Sequence, residues 1–158
     1  MAFSLIIDTI KRSTDGANVT TDAKDTTGAN FIVLAQCTSG ILGPTDSKSN
    51  VWAAAKEHFQ SPARAKIWYC VNPTVGTNHT FSLNATSAAP VIWMGAYSGG
   101  AAVPVDQSNS SAGTGTSRQP GSVTPAEDNE LVIAMVAQAI ANTVSVDVMS
   151  IIRQSAVV

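Results

Sequence analysis

The most informative stretch of the sequence is Asn30-Phe-Ile-Val-Leu-Ala-Gln-Cys37. Side chains in a β-strand alternate between two faces, and the run Phe31-Ile-Val-Leu34 is apolar on both of them. The turn residues Asp25-Thr-Thr-Gly28 precede it. This pattern predicts a central strand that is buried on both sides.

Seven further apolar runs of strand length are spread over the chain. Between them lie clusters of Gly, Pro, Asn, Asp, Ser and Thr, whose backbone preferences favour turns. Many short strands separated by turns are typical of an all-β sandwich or barrel, and we predict a single antiparallel β-sandwich domain over residues 1–158. The seven runs are Phe3–Ile10, Val51–Phe59, Lys66–Val71, Thr80–Asn84, Pro90–Tyr97, Leu131–Ile140 and Thr143–Ile152.

Two of these runs are rich in helix formers, namely Trp52–Phe59 and Leu131–Ile140, and we nevertheless predict strands at both. In Thr143–Ile152, valines at every second position predict a half-buried strand with a bulge near its end. The polar stretch Asp106–Thr124 predicts a long loop, which in a compact domain usually binds something or stays mobile.

Composition excludes several classes of protein. The chain has 158 residues, of which only 13% are charged, while Ser and Thr exceed a fifth. A net charge of −2 offers no basic face for nucleic acid. The sequence contains no run of 18 apolar residues, so it predicts no membrane-spanning helix. The N-terminus does not have the layout of a secretory signal. The hydrophobic content of 44% argues against a disordered chain.

Seven short pieces of the sequence, taken in order, carry a family resemblance. Together they resemble a β-sandwich module of structural proteins in tailed bacteriophages, across Asp25–Val136. The resemblance implies an Ig-like or jelly-roll sandwich in a virion decoration, fibre or tail component that assembles in the host cytoplasm, with no catalytic residues. The pieces are Asp25-Thr-Thr-Gly-Ala-Asn30, Asp46-Ser-Lys-Ser-Asn-Val-Trp52, Ile67-Trp-Tyr-Cys-Val-Asn-Pro73, Asn78-His-Thr-Phe81, Ala96-Tyr-Ser-Gly99, Pro120-Gly-Ser-Val-Thr-Pro125 and Asp128-Asn-Glu-Leu-Val132.

Residues with catalytic or metal-binding chemistry do not form a convincing pattern. Ala96-Tyr-Ser98-Gly-Gly100 is close to a nucleophile elbow, but the following Ala101-Ala-Val-Pro104 does not begin a helix, and His58 and His79 both precede Ser98. The histidines lack partners at zinc spacing, and we expect His79 to be a capping or packing residue. Acidic residues in loops, such as Glu127, Asp128 and Glu130, are predicted to be solvated turn residues rather than calcium ligands. We therefore predict no enzyme activity, no cofactor and no metal.

The two cysteines, Cys37 and Cys70, lie in predicted core strands. A disulfide between the two sheets would need Cα atoms about 4.4–6.8 Å apart. Buried free thiols are the expected state for a protein that assembles in the cytoplasm.

The tryptophans Trp52, Trp68 and Trp93 lie inside predicted strands, where large aromatic residues normally belong to the core. As an alternative, they could form a sugar-stacking platform together with Tyr69 and Tyr97. Because Trp68 and Tyr69 are adjacent, they point to opposite faces, and one of the two could be exposed.

The function expected from these observations is that of a non-enzymatic virion structural protein. It docks on other virion proteins and forms a homo-oligomer, with assembly arms at residues 1–12 and 151–158, since apolar chain ends can complete the sheet edge of a neighbour. A carbohydrate-binding receptor-recognition module is the alternative, with the tryptophans or the 106–124 loop binding a glycan. The candidate assembly contacts are Phe3, Leu5, Ile7, Ile151, Ile152 and Val157.

Overall fold

The computed structural model describes residues 3–13, 18–38, 43–61, 63–84, 90–113, 119–126, 130–138 and 156–157. Those residues form ten strands, and none of them forms a helix that could cross a membrane. The strands are β1 (Ser4–Arg12), β2 (Val19–Thr20), β3 (Phe31–Cys37), β4 (Pro44–Asp46), β5 (Ala53–Gln60), β6 (Ala63–Val71), β7 (Phe81–Leu83), β8 (Val91–Ser98), β9 (Ala137–Gln138) and β10 (Ala156–Val157).

The larger sheet contains five antiparallel strands in the order β1-β8-β3-β6-β5. Strand β3 lies at its centre, where Ile32 pairs with Cys70 of β6 on one side and Ala96 of β8 on the other. All seven residues of β3 are buried. The prediction of a central strand buried on both faces is therefore confirmed.

The smaller sheet has the order β2-β7-β4 and packs against one face of the larger sheet, which we call the inner face. Apolar side chains from both sheets meet there and exclude water, which supplies the main driving force for folding. The predicted all-β antiparallel sandwich is thus confirmed. The buried residues of this core are Val19, Ala29, Ile32, Leu34, Phe81, Leu83, Ile92, Met94 and Ala96.

Two strands of the smaller sheet were not predicted, because they are very short. Strand β4 consists of Pro44, Thr45 and Asp46, which by composition resemble a turn. Proline fits as the first residue of an edge strand, where no ladder hydrogen bond is lost. Strand β2 has only two residues, too few for any alternation to show.

The opposite, outer face of the larger sheet is covered by residues 131–137. In this segment Leu131 and Ile133 pack beside Phe31, Val33 and Tyr97, and farther along Met135 and Ala137 pack beside Cys37 and Val91. Only Ala137–Gln138 forms a strand, paired in parallel with β10, so the prediction of a strand over Leu131–Ile140 is wrong for 131–136. Residues 131–136 lie across a sheet face, where none of the described strands pairs with them.

The remaining sequence predictions have mixed outcomes. The helix-rich run Trp52–Phe59 does form a strand, β5, as predicted. The described parts of Asp106–Thr124 contain neither helix nor strand, in agreement with the predicted loop, and Asn109 Nδ2 donates to Ser122 O across it at 3.3 Å. The predicted strand Thr143–Ile152 lies outside the described residues.

Candidate functional site

A buried polar network joins three segments of the smaller layer. Its centre is His79, whose Nδ1 lies 2.9 Å from Thr26 Oγ1 and whose Nε2 lies 3.0 Å from Asp46 Oδ1. The imidazole also packs against the ring of Phe81, with centroids 4.3 Å apart. The turn between β6 and β7, the turn before β3 and the end of β4 are thereby held together.

The contacts around His79 define the role of one ring nitrogen. A carboxylate accepts hydrogen bonds and cannot donate them, so Nε2 carries a hydrogen and donates to Asp46. Nδ1 lies within hydrogen-bond distance of Thr26 Oγ1, which accepts from Gly76 N at 3.2 Å and lies 3.3 Å from Gly76 O. Both ring nitrogens therefore have hydrogen-bond partners inside the protein.

Asp46 is the most heavily hydrogen-bonded side chain in the described structure. Its oxygens accept from Trp52 Nε1 and Lys48 N, each at 2.8 Å, and from the Asn50 backbone and side chain. Burial alone would raise the pKa of this carboxyl, but the hydrogen bonds, of which that from His79 is the strongest, together hold its pKa below the usual range.

A hydroxyl, an imidazole and a carboxylate in one chain of hydrogen bonds resemble a nucleophilic triad in composition. Thr26 and His79 are both fully buried, however, and the Asp46 side chain is buried too. Nucleophilic attack requires a substrate carbon to approach the hydroxyl, and burial prevents that. The network therefore serves as a structural clamp, which agrees with the packing role predicted for His79.

Ser98 is the last residue of β8 and lies opposite Ser4 of β1. Gly99 follows with a φ of 86°, and no helix follows within the described part, residues 99–113. The strand-to-helix turn that a nucleophile elbow needs is absent from this segment.

The two cysteines are free and lie in the same sheet. Cys70 pairs with Ile32, which is five residues from Cys37 along β3, so the two Cα atoms are roughly 17 Å apart by strand geometry. The alternative of an inter-sheet disulfide is therefore wrong. Burial raises the pKa of the Cys37 thiol to about 12, and burial followed by the charge of Asp46 raises that of Cys70.

The three tryptophans do not share a surface. Trp52 and Trp68 pack against the inner core, whereas Trp93 packs on the outer face, and all three are half-buried. Trp68 Nε1 donates to Gln36 Oε1 at 2.8 Å. Trp68 and Tyr69 do point to opposite faces, as predicted, but both are half-buried, so neither is the exposed ring that we considered.

Acidic residues do not gather into a metal site in the described part of the chain. Glu127 and Asp128 lie outside it, and Glu130 has an interaction partner of its own. Asp106 accepts a hydrogen bond from Ala126 N at 2.9 Å and helps to close the long loop.

The remaining candidate for a functional surface is formed by the two edges of the larger sheet. Strands β1 and β5 are the outermost strands, and neither has a second strand neighbour among the described residues. An outermost strand presents a row of backbone N–H and C=O groups that can pair with another chain. Within the part of the chain that the structure describes, the larger sheet therefore has two long edges that could take part in protein contacts.

The candidate assembly contacts at the N-terminus lie on or beside edge strand β1. Leu5 is 41% exposed, whereas Phe3 packs against Phe31 and Tyr97, and Ile7 packs against the inner core. At the other end of the chain, Ile151 and Ile152 lie outside the described residues, and the backbone of Val157 belongs to β10.

The two edges differ in how they are protected. Edge strand β5 carries Lys56, Glu57 and a bulge near its start, and Glu57 forms ion pairs with Arg64 and Lys66. Charges and bulges of this kind discourage pairing with other strands. Edge strand β1 has its bulge between Leu5 and Ile7, so its register is regular from Ile7 to Arg12.

Comparison with family models, with curated proteins and with solved structures gave no match to this chain.

Proposed function

We propose that this chain is a non-enzymatic structural protein of a tailed-phage virion, which docks on neighbouring subunits as a decoration, fibre or tail component. The observation that carries the proposal is the pair of long edge strands, β1 and β5, at the two ends of the larger sheet. Strand addition at such an edge satisfies backbone groups and needs few specialised side chains.

The ordered sequence pieces between Asp25 and Val136 support the virion context. Two of them lie at joints of the sandwich, since Asp25 and Asn30 bracket the turn before β3 and the Asp46 piece begins at the last residue of β4. A low content of charged residues and many hydroxyl groups suit a module on the exterior of a particle. The stability of such a module comes from its core.

The structure of the polar groups supports a role without catalysis. Thr26, His79 and Asp46 are hydrogen-bonded to one another inside the protein, and their burial keeps a substrate from reaching them. A role in packing and docking uses the features that the described chain does offer, namely edges and partly exposed apolar residues.

The carbohydrate-binding alternative has less support. Stacking on a sugar requires exposed rings along one surface, whereas Trp93 lies on the opposite face of the sheet from Trp52 and Trp68. Binding of the purified protein to a panel of immobilised glycans tests this alternative directly. Specific glycan binding that persists in variants of the 106–124 loop but is lost in Trp93→Ala would favour the carbohydrate-binding alternative.

The proposal is tested on particles from the source of the sequence. After gradient centrifugation, antibody against the chain should detect it in the particle band, and quantitative mass spectrometry should give a fixed copy number per particle. A chain found only in the unsedimented fraction would reject the proposal.

A further inference from the structure

The inner face of β6 carries a group of charged and amide side chains beside the core. Lys66 of β6 lies opposite Gln36 of β3 on one side and opposite Glu57 of β5 on the other. Arg64 and Trp68 lie two residues before and after Lys66, and side chains at every second position of a strand share a face. Because Trp68 packs against the inner core, all of these side chains belong to the inner face. We call Gln36, Glu57, Arg64 and Lys66 the inner polar cluster.

Positive charge exceeds negative charge in this cluster. Among the described residues, both cations form their ion pairs with Glu57: Arg64 Nη1 with Oε1, and Lys66 Nζ with Oε2 at 2.8 Å. The side chains of Arg64 and Lys66 are only 15% and 13% exposed. Two cations that share one carboxylate leave a surplus of positive charge, which water reaches poorly. A charge removed from water is costly unless an opposite charge lies beside it.

Aromatic rings hold both cations in position. Lys66 Nζ lies 4.0 Å from the centroid of the Trp68 ring, and the guanidinium carbon of Arg64 lies 4.5 Å from the centroid of the Phe59 ring. The electron-rich face of a ring attracts a cation. A ring carries no formal charge, however, so the surplus positive charge of the cluster remains.

The amide of Gln36 is oriented by Trp68. The indole Nε1–H can only donate, and it donates to Gln36 Oε1 at 2.8 Å, so the other end of the amide is the N–H₂ group. Gln36 is completely buried, yet its Nε2 has no acceptor among the described residues. Buried amide donors are nearly always hydrogen-bonded in folded proteins, because an unmade hydrogen bond costs free energy. Nε2 of Gln36 is therefore a donor that a bound group can satisfy.

Arg64 supplies a second donor of the same kind. Its Nε is buried and likewise finds no acceptor in the part of the chain that the structure describes. Gln36 lies directly opposite Lys66, so Arg64 is its diagonal neighbour across the two strands, within reach of long side chains. One bound acceptor beside Lys66 would accept hydrogen bonds from both donors. A water molecule would do so without changing the charge, whereas an anion also neutralises the cluster.

We propose that the inner polar cluster binds a small oxyanion of the phosphate or carboxylate type, held by Arg64, Lys66 and Gln36. The oxygens of the anion accept hydrogen bonds from these side chains, and its charge offsets the surplus of positive charge. The anion enters from the side of edge strand β5, where the Phe59 residue is 49% exposed and the Glu57 side chain 33%. This site goes beyond the assembly role and does not depend on it.

Isothermal titration calorimetry with inorganic phosphate, at an ionic strength held constant with sodium chloride, tests the site. The wild-type chain should show saturable binding of phosphate. Lys66→Gln removes one of the two cations and should weaken this binding on the order of tenfold, because a charge-assisted hydrogen bond is lost. The matched control is Lys56→Gln, which removes the same charge from the same pair of strands. Lys56 lies opposite Ile67 on the outer face, so its loss should leave the phosphate affinity unchanged within about twofold.

Gln36→Glu tests the same site by supplying the negative charge from within the chain. Its carboxylate keeps an acceptor for Trp68 Nε1 and places a second oxygen where the amide N–H₂ lies. This variant should therefore fold, with a native strand signal in circular dichroism, and should no longer bind phosphate. The same measurement on Lys66→Gln and Lys56→Gln distinguishes a loss of binding from a loss of folding.

Three results would each overturn the anion site. They are the absence of saturable phosphate binding by the wild-type chain, equal losses of affinity in Lys66→Gln and Lys56→Gln, and full phosphate binding by Gln36→Glu. Either Lys66→Gln or Gln36→Glu decides the question if the other variant does not fold. None of these results bears on the virion role, which the sedimentation of particles tests separately.

Discussion

At the scale of single residues, the clearest dependence is that of the sandwich on the Asp46 carboxylate. Asp46→Asn removes one acceptor and turns an amide N–H₂ toward the donor of either His79 or Trp52, which bond different oxygens of the carboxylate. We expect the free energy of unfolding to fall by about 2–4 kcal/mol, measured by urea denaturation at pH 7. Asp25→Asn is the matched control: this exposed carboxylate bonds Thr27, and its loss should leave the free energy of unfolding nearly unchanged.

The same carboxylate predicts a dependence on pH. Because the folded pKa of Asp46 lies below its unfolded value, its contribution is fully present above roughly pH 4 and is lost as the pH falls through the folded pKa. The difference in unfolding free energy between the wild-type chain and Asp46→Asn should therefore shrink below about pH 4. A difference that stays constant from pH 7 to pH 3 would contradict the assigned network.

Gly95 is a second residue on which packing depends. A Cβ atom there would lie 2.6 Å from the Trp93 ring and 2.8 Å from the Tyr97 ring. Alanine normally stabilises a strand relative to glycine, yet Gly95→Ala should destabilise this protein by about 1–3 kcal/mol, because both rings must move. At Gly43 the nearest ring atom would be 3.3 Å away, so Gly43→Ala should cost no more than about 0.5 kcal/mol. Thermal unfolding of both variants measures the difference.

At the scale of elements, the segment that covers the outer face, residues 131–137, contains both packed and exposed apolar side chains, which can be compared by substitution. Leu131 and Ile133 pack on the sheet, whereas Val132 between them is 56% exposed. Ile133→Ala should lower the free energy of unfolding by about 1–3 kcal/mol, and Val132→Ala should change it by less than about 0.5 kcal/mol. Equal effects of the two substitutions in chemical denaturation would show that the segment does not cover the sheet.

The contrast between β3 and residues 131–136 shows what the sequence could and could not predict about elements. Uninterrupted apolar residues in Phe31–Leu34 were sufficient to place a central strand, because only burial on both faces accommodates them. The run Leu131–Ile140 is apolar enough to be buried, but that does not show whether its backbone joins a sheet. Ladder pairing is decided by distant segments, which local periodicity does not encode.

The buried network was even less visible in the sequence. Neither Asp46 nor Thr26 was predicted to contact His79, since each lies more than 30 positions away from it in the sequence. A local sign did exist: Asp46 caps the backbone of Lys48 and Asn50 in a turn that Asx residues favour. The tryptophans likewise looked equivalent in sequence, and only the register of the sheet separates Trp93 from Trp68.

At the scale of the whole molecule, the two thiols report on global unfolding. Cys37 and Cys70 are buried in the central sheet, with pKa values raised by burial, so neither should react with a thiol reagent in the native protein at pH 8. Both should react in urea, and the reaction rate at intermediate urea should follow the unfolding transition. Rapid labelling of either thiol without denaturant would contradict the packing described for β3 and β6.

The placement of β1 also determines how the assembly role should be probed. Removing residues 1–12 would delete an edge strand that pairs with β8 along its length, together with the contact of Phe3 with Phe31 and Tyr97. Loss of assembly in such a deletion would therefore not separate docking from folding. Single side-chain changes in β1 avoid this problem, because they leave the backbone ladder with β8 intact.

Hydrogen–deuterium exchange of the chain, free at a dilution where it is monomeric and bound in particles, tests the docking of sheet edges most directly. Alternate amides of an edge strand point away from the sheet and exchange with solvent unless another chain pairs with them. The account predicts added protection in particles at β1 or β5, with little change at the central strand β3. Identical exchange of both edge strands in the two states would contradict it.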